Sequence, residues 1–452
     1  MAVSRRYFLD PFGCVKNQVD AENMMARLDG SGWSSVPEAG DADLIIVNSC
    51  GFVEDAKRES IDAVLGWRGL YPDKKILLAG CLAQRYAKEL AESLPEADGF
   101  FGTDDIAKIA DAADSLGGGG EGPTPGVQNE APAAGSRPLL SMPGSAYVKI
   151  SEGCDNGCTY CAIPLIRGPL RCRSVEDILD ECKGLLARGI KELCIVGQDI
   201  ASYSSGGSGL PELLAAMAEL RGDFWVRLLY MHPDRFPLRV LDVMERDARF
   251  LPYFDVPFQH ASGRILSAMN RRGNAEDYLA LAQTIRGRLP GSVIRTTFLV
   301  GFPGETDADF AELRAFQDRL RPDWLGCFSY SREEGTAAYS MPGRVPKKKA
   351  LARKLEVEES QLRITEENMD RFVGQTLDVL LEEKFDSSDR DGNDEETPEL
   401  WLGRAYCHAP EVDGSAVIVG PLSGAEKAGG LLPCKVIARR SFDLELRPVS
   451  GV

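Results

Sequence analysis

The chain has 452 residues, enough for two or three domains that each bury a core, and its 44% hydrophobic and 27% charged residues exclude a fibre, a mucin-like stalk and wholesale disorder. Its formal charge of -17, from 52 Lys+Arg against 69 Asp+Glu, sets up a field that repels phosphate backbones and suits a basic partner. No stretch reaches the apolar length of a membrane span, and Met1 to Phe8 runs into a strand-like segment without a signal-peptide core, so a cytoplasmic location and no membrane partner are expected.

Short apolar runs at Tyr7 to Asp10, Leu44 to Asn48 and Ile76 to Ala79, each followed by a turn and a helical pattern, predict a parallel α/β domain over residues 5–112. Gly117 to Gly120 and the Pro/Gly/Ala-rich tract that follows hold too little apolar content to pack, and residues 113–142 read as a flexible linker. A second α/β series, residues 143–371, supplies candidate strands at Ala146 to Ile150, Glu192 to Val196, Trp225 to Tyr230, Tyr253 to Val256, Ser292 to Val300 and Trp324 to Tyr330. Six βα units are two short of a full TIM barrel, so a partial (β/α)6 barrel is expected. Lys347 to Phe372 closes the domain as one long charged helix with Leu351, Leu355, Leu362 and Met369 as a sparse apolar stripe. Five short alternating runs between Thr376 and Leu446 predict a small OB-like β-barrel over residues 372–452.

Twelve cysteines in such a chain point to metal ligands, redox groups or small buried hydrophobes rather than a disulfide framework. Cys154, Cys158 and Cys161 stand at C-x3-C-x2-C spacing on a loop after the first strand of the central domain, at the end where barrels keep active sites. Three thiolates so spaced can hold three irons of a 4Fe-4S cluster and leave the fourth open to a substrate. Zinc or plain packing are the competing readings; structural zinc wants a fourth ligand, and Cys172 forms no second pair. Cys14, Cys50 and Cys81 each follow a predicted strand of the first domain, where a parallel sheet gathers its ligand crevice; they form a shared metal site or are three buried free thiols. Cys194 and Cys327 fall in apolar strands and read as core, while Cys172, Cys182, Cys407 and Cys434 show no ligand grouping. His232, His260 and His408 are isolated, and no side chain is singled out as a general acid or base.

The triplet, with Tyr160 before its last cysteine, resembles the radical S-adenosylmethionine (SAM) enzymes. The segments Gly13 to Asp20, Asn48 to Val53 and Ala79 to Arg85 resemble the three ligand segments of the methylthiotransferases within that superfamily. Further matches are Ile150 to Gly153, Ala162 to Gly168, Val196 to Asp199, Gly301 to Thr306 and Tyr330 to Thr336, so the likeness spans nearly the whole chain, the linker excepted. It implies two 4Fe-4S clusters, on Cys14, Cys50 and Cys81 and on Cys154, Cys158 and Cys161, and SAM used once as methyl donor and once as radical source. It also implies Tyr160 near the adenine and Gln198 near the SAM amine. Gly301, in a glycine-rich turn after a strand, and Arg227, Arg295 and Thr297, on strands that would face the barrel mouth, are further candidate cofactor contacts by position, the competing readings being a plain turn and ordinary strand residues.

The last domain is similar to the TRAM module of that family, which serves RNA in the tRNA-modifying branch and then needs a cationic face. Residues 372–452 instead hold eight Lys+Arg against fifteen Asp+Glu, seven of the acids lying between Asp386 and Glu399. With Cys14 to Asp20 and Gly403-Arg404 ahead of Ala409 to Gly414, the chain resembles the branch that modifies an aspartate β-carbon in the twelfth small-subunit ribosomal protein. His408 stands where the family often has an acidic residue. The implied partners are a basic small-subunit ribosomal protein or the small subunit itself, a low-potential electron donor such as flavodoxin or ferredoxin, and a sulfur donor. A tRNA-adenosine methylthiotransferase and a non-catalytic Fe-S scaffold or electron-transfer protein are the alternatives.

Overall fold

The structure, a computed structural model, describes residues 5–116, 135–385, 400–420, 422 and 427–449. Gly117 to Gly120 and the acidic run from Asp386 to Glu399 lie outside the described residues.

The first domain is a five-stranded parallel sheet. Its strands are β1 (Arg6–Pro11), β2 (Ser34–Ser35), β3 (Leu44–Ser49), β4 (Lys75–Gly80) and β5 (Gly99–Phe101), in spatial order β2-β1-β3-β4-β5. Every residue of β3 is buried, as its unbroken apolar run requires of a central strand covered on both faces. Helices α1 (Val15–Gly30), α2 (Glu54–Leu70), α3 (Cys81–Ser93) and α4 (Ile109–Leu116) pack on the two faces. The edge strands β2 and β5 were not predicted; two serines and a Gly-Phe-Phe triplet carry too little pattern to read.

The central sheet has six parallel strands in chain order: β6 (Ser145–Lys149), β7 (Glu192–Val196), β8 (Trp225–Leu228), β9 (Phe250–Asp255), β10 (Val293–Val300) and β11 (Trp324–Ser329). Alternation along each strand sends Val148, Ile195, Val226 and Phe254 out against the helices and turns Tyr147, Cys194, Trp225 and Tyr253 onto the concave face. That face is filled from below by the C-terminal domain, a closed barrel of β12 (Thr376–Phe385), β13 (Leu400–Ala405), β14 (Ala416–Val419), β15 (Leu431–Arg440) and β16 (Asp443–Pro448). An incomplete barrel leaves its lumen open, and the third domain supplies the missing contacts.

Two expectations need revision. Leu351, Leu355 and Leu362 of the long helix α6 (Lys347–Met369) are exposed, while Met369, the last of the expected stripe, is buried; the helix packs through it together with Ala350, Val357 and Ile364, and through Gln361, which binds Gln317 and the Pro322 carbonyl. The three leucines mislead because the buried face is half polar. Residues 135–142, expected in the linker, are tied down: Arg137 is buried and bonded to Glu22 of α1 and to Glu181.

Candidate cluster and cofactor sites

Cys14, Cys50 and Cys81 stand at the carboxyl ends of β1, β3 and β4, and the folding of one sheet edge brings them together. Cys14 caps α1 and Cys81 opens α3. Gly80 before Cys81 has φ +95°, and a Cβ there would meet the Ser49 carbonyl at 2.7 Å; Gly13 before Cys14 has φ +98°, with Cys50 Cβ 3.2 Å from a virtual side chain. Asn17 knits the loops, its Nδ2 donating to the carbonyls of Phe12 (2.8 Å) and Ser49 (2.9 Å). Burial pushes the Cys81 thiol up to about 12, opposed by Arg167 and reinforced by negative charge on Cys14 or Cys50. Burial likewise raises Cys50. At Cys14, which keeps an exposed surface, desolvation also acts upward. There the Lys16 ammonium, the backbone N–H groups of the α1 terminus and Arg167 outweigh it, so the net shift is downward.

Cys154, Cys158 and Cys161 curl on the loop beyond β6. Burial pushes Cys161 up to about 12 and also raises Cys154; the backbone N–H groups of Ile163 and Asn156 act the other way, and charge on Cys158 acts upward at both. Cys158 Sγ lies 3.9 Å from His232 Nε2 and 3.9 Å from the Arg271 guanidinium. These groups open on a polar cavity of about 460 Å³ lined in part by Asn156, Asp234 and Arg272. Among the described residues no three Cys, His, Asp or Glu side chains close tightly enough to hold a single metal ion. Within each triad the thiols nonetheless sense one another's charge, Cys81 that of Cys14 and Cys50, and Cys161 that of Cys154 and Cys158. Thiols held near 12 gain most from a cation, and in this respect the donor set fits a 4Fe-4S cluster.

The two sites face each other through a charged seam. Arg167, at the end of the short helix α5 (Ile163–Arg167) that follows the triplet, crosses the domain boundary and donates to Cys81 Sγ and Asn17 Oδ1, each at 2.9 Å. It also pairs with Asp20 of α1 and with Glu152, and Lys149 pairs with the same two carboxylates. Glu152 is half-buried and its desolvation acts upward, yet Lys149 and Arg167 hold its carboxyl down at about 2. A second clasp joins Lys57 (3.0 Å) and Arg85 (2.8 Å) to Glu333, within the Tyr330 to Thr336 segment. Sequence reasoning matched the Arg167 and Glu333 segments to a family without assigning them a role; their signal was the motif, and their partners emerged only with the domains docked.

The expected cofactor contacts divide. Gln198, just beyond β7, donates from Nε2 to Glu152 (2.8 Å), and its Oε1 is buried without a partner, as is Ser151 Oγ. Such orphaned acceptors beside the triplet fit a cofactor amine. Tyr160 packs edge-on against Phe302 at 6.4 Å in an apolar pocket with Ile265 and Met269, a surface suited to a flat ring. Thr297 is half-buried on the concave side of β10, two residues beyond Arg295.

Arg227 is not at the barrel mouth. It is fully buried, pairs with Glu192 at 2.7 Å and donates to the Tyr406 carbonyl of the C-terminal domain. The close approach at Gly301 is to α6, since a Cβ would lie 2.5 Å from that of Ala350. Arg404 and Asp413, read as branch signatures, are also docking residues. Arg404 grips Glu192, which the two arginines hold down at about 2 against its burial, and Asp413 accepts from Tyr253 (2.6 Å) and Arg295 (2.5 Å).

Three family models match separate stretches of the chain. Residues 6–102 match an uncharacterised family designated UPF0004, residues 148–316 the radical SAM superfamily and residues 373–449 the TRAM domain. The ribosomal protein uS12 methylthiotransferase RimO of Treponema denticola is 44% identical over 97% of this chain and 99% of its own length. RimO of Aquifex aeolicus is 38% identical over 97% of this chain and 96% of its own. Among solved structures, the radical SAM methyltransferase TsrM of Kitasatospora setae superposes with a TM-score of 0.55 at 16% identity, covering 75% of this chain and 77% of that one, a likeness of fold.

Proposed function

The chain belongs to the RimO family of ribosomal protein uS12 methylthiotransferases, and from that premise we propose that it places a methylthio group on the β-carbon of an aspartate in uS12, using two 4Fe-4S clusters held by Cys14, Cys50 and Cys81 and by Cys154, Cys158 and Cys161. When bound, the clusters and SAM supply the electron, the radical, the methyl group and the sulfur that replacement of an unactivated C–H bond demands. The protein's part is to bind, orient and exclude water. Gln198 offers Oε1 to the SAM amine, and Tyr160 with Phe302 offers an apolar wall to its adenine. Lys149, Asp20, Glu152 and Arg167 seal the two cysteine loops together, so that a group handed from one site meets the other without crossing bulk water.

The observation that carries this reading is the Arg167 bond to Cys81 Sγ: a residue from the triplet's own loop touches a ligand of the other site. The charge of -17 suits a basic ribosomal protein in preference to tRNA. Turnover draws on a low-potential electron donor of the flavodoxin or ferredoxin kind and on a separate sulfur donor, in the cytoplasm where ribosomal proteins are made. Among the described residues no helix is long and apolar enough to cross a membrane. The test is anaerobic incubation of reconstituted protein with SAM, reductant and either uS12 or tRNA, read by mass spectrometry. A methylthio increment on uS12 is expected; an increment on tRNA alone would overturn the assignment.

A further inference from the structure

Buried cationic side chains in this protein are, with two exceptions among the described residues, held by carboxylates. Arg137 pairs with Glu22 and Glu181, Arg167 with Asp20 and Glu152, Arg227 with Glu192, Arg353 with Glu305, and Arg404 with Glu192 and Glu382. The exceptions are Arg271 and Lys16, and each stands beside a cluster cysteine. Arg271 directs its two terminal nitrogens inside its own domain, to the Pro257 carbonyl at 2.6 Å and toward Cys158, while its Nε is buried without a partner. Lys16 is different. It follows Cys14 by two residues in the first turn of α1, keeps only 9% of its surface exposed, and reaches across the domain boundary to lie 3.3 Å from the centroid of the Tyr230 ring.

Tyr230 sits just beyond the carboxyl end of β8, the end of the barrel that carries the triplet, and its φ of +67° is a conformation bulky residues rarely adopt. Its N–H donates to Asp255 at the end of β9, at 3.1 Å, which fixes the ring beneath the ammonium. Asp255 itself is turned to that N–H and toward Arg295, at 4.0 Å. The structure therefore sets a strained residue under a buried cation that no carboxylate among the described residues meets at ion-pair distance; Asp255 acts on it only from further off, and a tyrosine face offsets only a fraction of such a desolvation cost.

We propose that Lys16 receives the carboxylate of the substrate aspartate. This rests on the reading of the protein as a uS12 methylthiotransferase and adds the residue that recognises the target side chain. In aspartate the carbon that acquires sulfur is bonded directly to the carboxyl carbon. A cation gripping the carboxylate thus fixes the reacting carbon one bond away, beside Cys14 and facing the barrel mouth. The same contact rejects asparagine, which carries no charge, and any neutral base.

The test is a binding cycle on the cluster-loaded protein, by calorimetric titration with uS12 carrying either the target aspartate or asparagine in its place. Wild-type protein is expected to bind the aspartate form about thirtyfold or more tightly, the cost of leaving one partner of a desolvated charge pair alone. Lys16→Met should bind both forms equally and weakly, and Lys16→Arg should restore part of the preference. Equal affinity of wild-type protein for the two forms overturns the proposal without recourse to any variant. So does a Lys16→Met protein that weakens both forms while preserving their ratio, the mark of a merely structural role. Binding of neither form by wild-type protein would overturn the uS12 reading itself.

Discussion

The two cysteine triads solve one problem in opposite ways. The central one lies within eight residues, Cys154 to Cys161, and local backbone N–H groups support it. The N-terminal one is spread from Cys14 to Cys81, exists only where a sheet edge gathers three loops, and takes a hydrogen bond from another domain through Arg167. A local site inherits its geometry from a loop, whereas a composite site inherits it from the tertiary fold. Damage to domain docking should therefore reach the second and spare the first.

The largest effects come from the ligands. Cys154→Ala should abolish both 5'-deoxyadenosine release and methylthio transfer. Cys50→Ala should abolish transfer while leaving SAM cleavage measurable by chromatography of the released nucleoside; loss of both in each variant would erase the distinction. Next comes Arg167→Met, which strips a buried network of a cation facing Asp20 and Glu152 and is expected to cost about 3–5 kcal/mol in denaturant unfolding. Iron analysis should show the loss concentrated at the N-terminal triad.

A third perturbation leaves both triads alone. His408 is fully buried, and burial, then Arg227 and Arg404, hold its imidazole down at about 3. Its folded value lies below its unfolded one near 6.5, so the stability it contributes is complete above about pH 6.5 and is lost as pH falls toward 3, by about 1.4 kcal/mol per unit. Unfolding midpoints measured between pH 7 and 5 should fall accordingly, and His408→Gln should flatten that slope without changing iron content. Smallest of all, Leu355→Lys on the exposed side of α6 should shift stability by no more than about 0.5 kcal/mol.

The same contrast explains what could be read in the sequence. The strand Glu192–Val196 was legible to the residue because it is a short apolar run between clear turns. That the fold gathers Cys14, Cys50 and Cys81 at one sheet edge was legible from strand ends, and the grouping of Cys154, Cys158 and Cys161 from their spacing. Arg227 misled because a strand arginine near a barrel mouth and one plugged by a third domain look alike until the third domain is docked. Lys16 and Arg167 went without a role for a related reason: their partners, Tyr230 and Cys81, lie in other domains, and no periodicity records a contact across a boundary. Three leucines of the α6 stripe misled, Met369 not among them, because a helix can bury glutamine and threonine against carbonyls and leave leucines in water.

The most direct test is Mössbauer spectroscopy with iron quantification on anaerobically reconstituted wild-type protein and on Cys50→Ala. Two 4Fe-4S clusters per chain in the former and one in the latter are predicted. A single cluster in wild-type protein, or an unchanged spectrum in Cys50→Ala, would contradict the account.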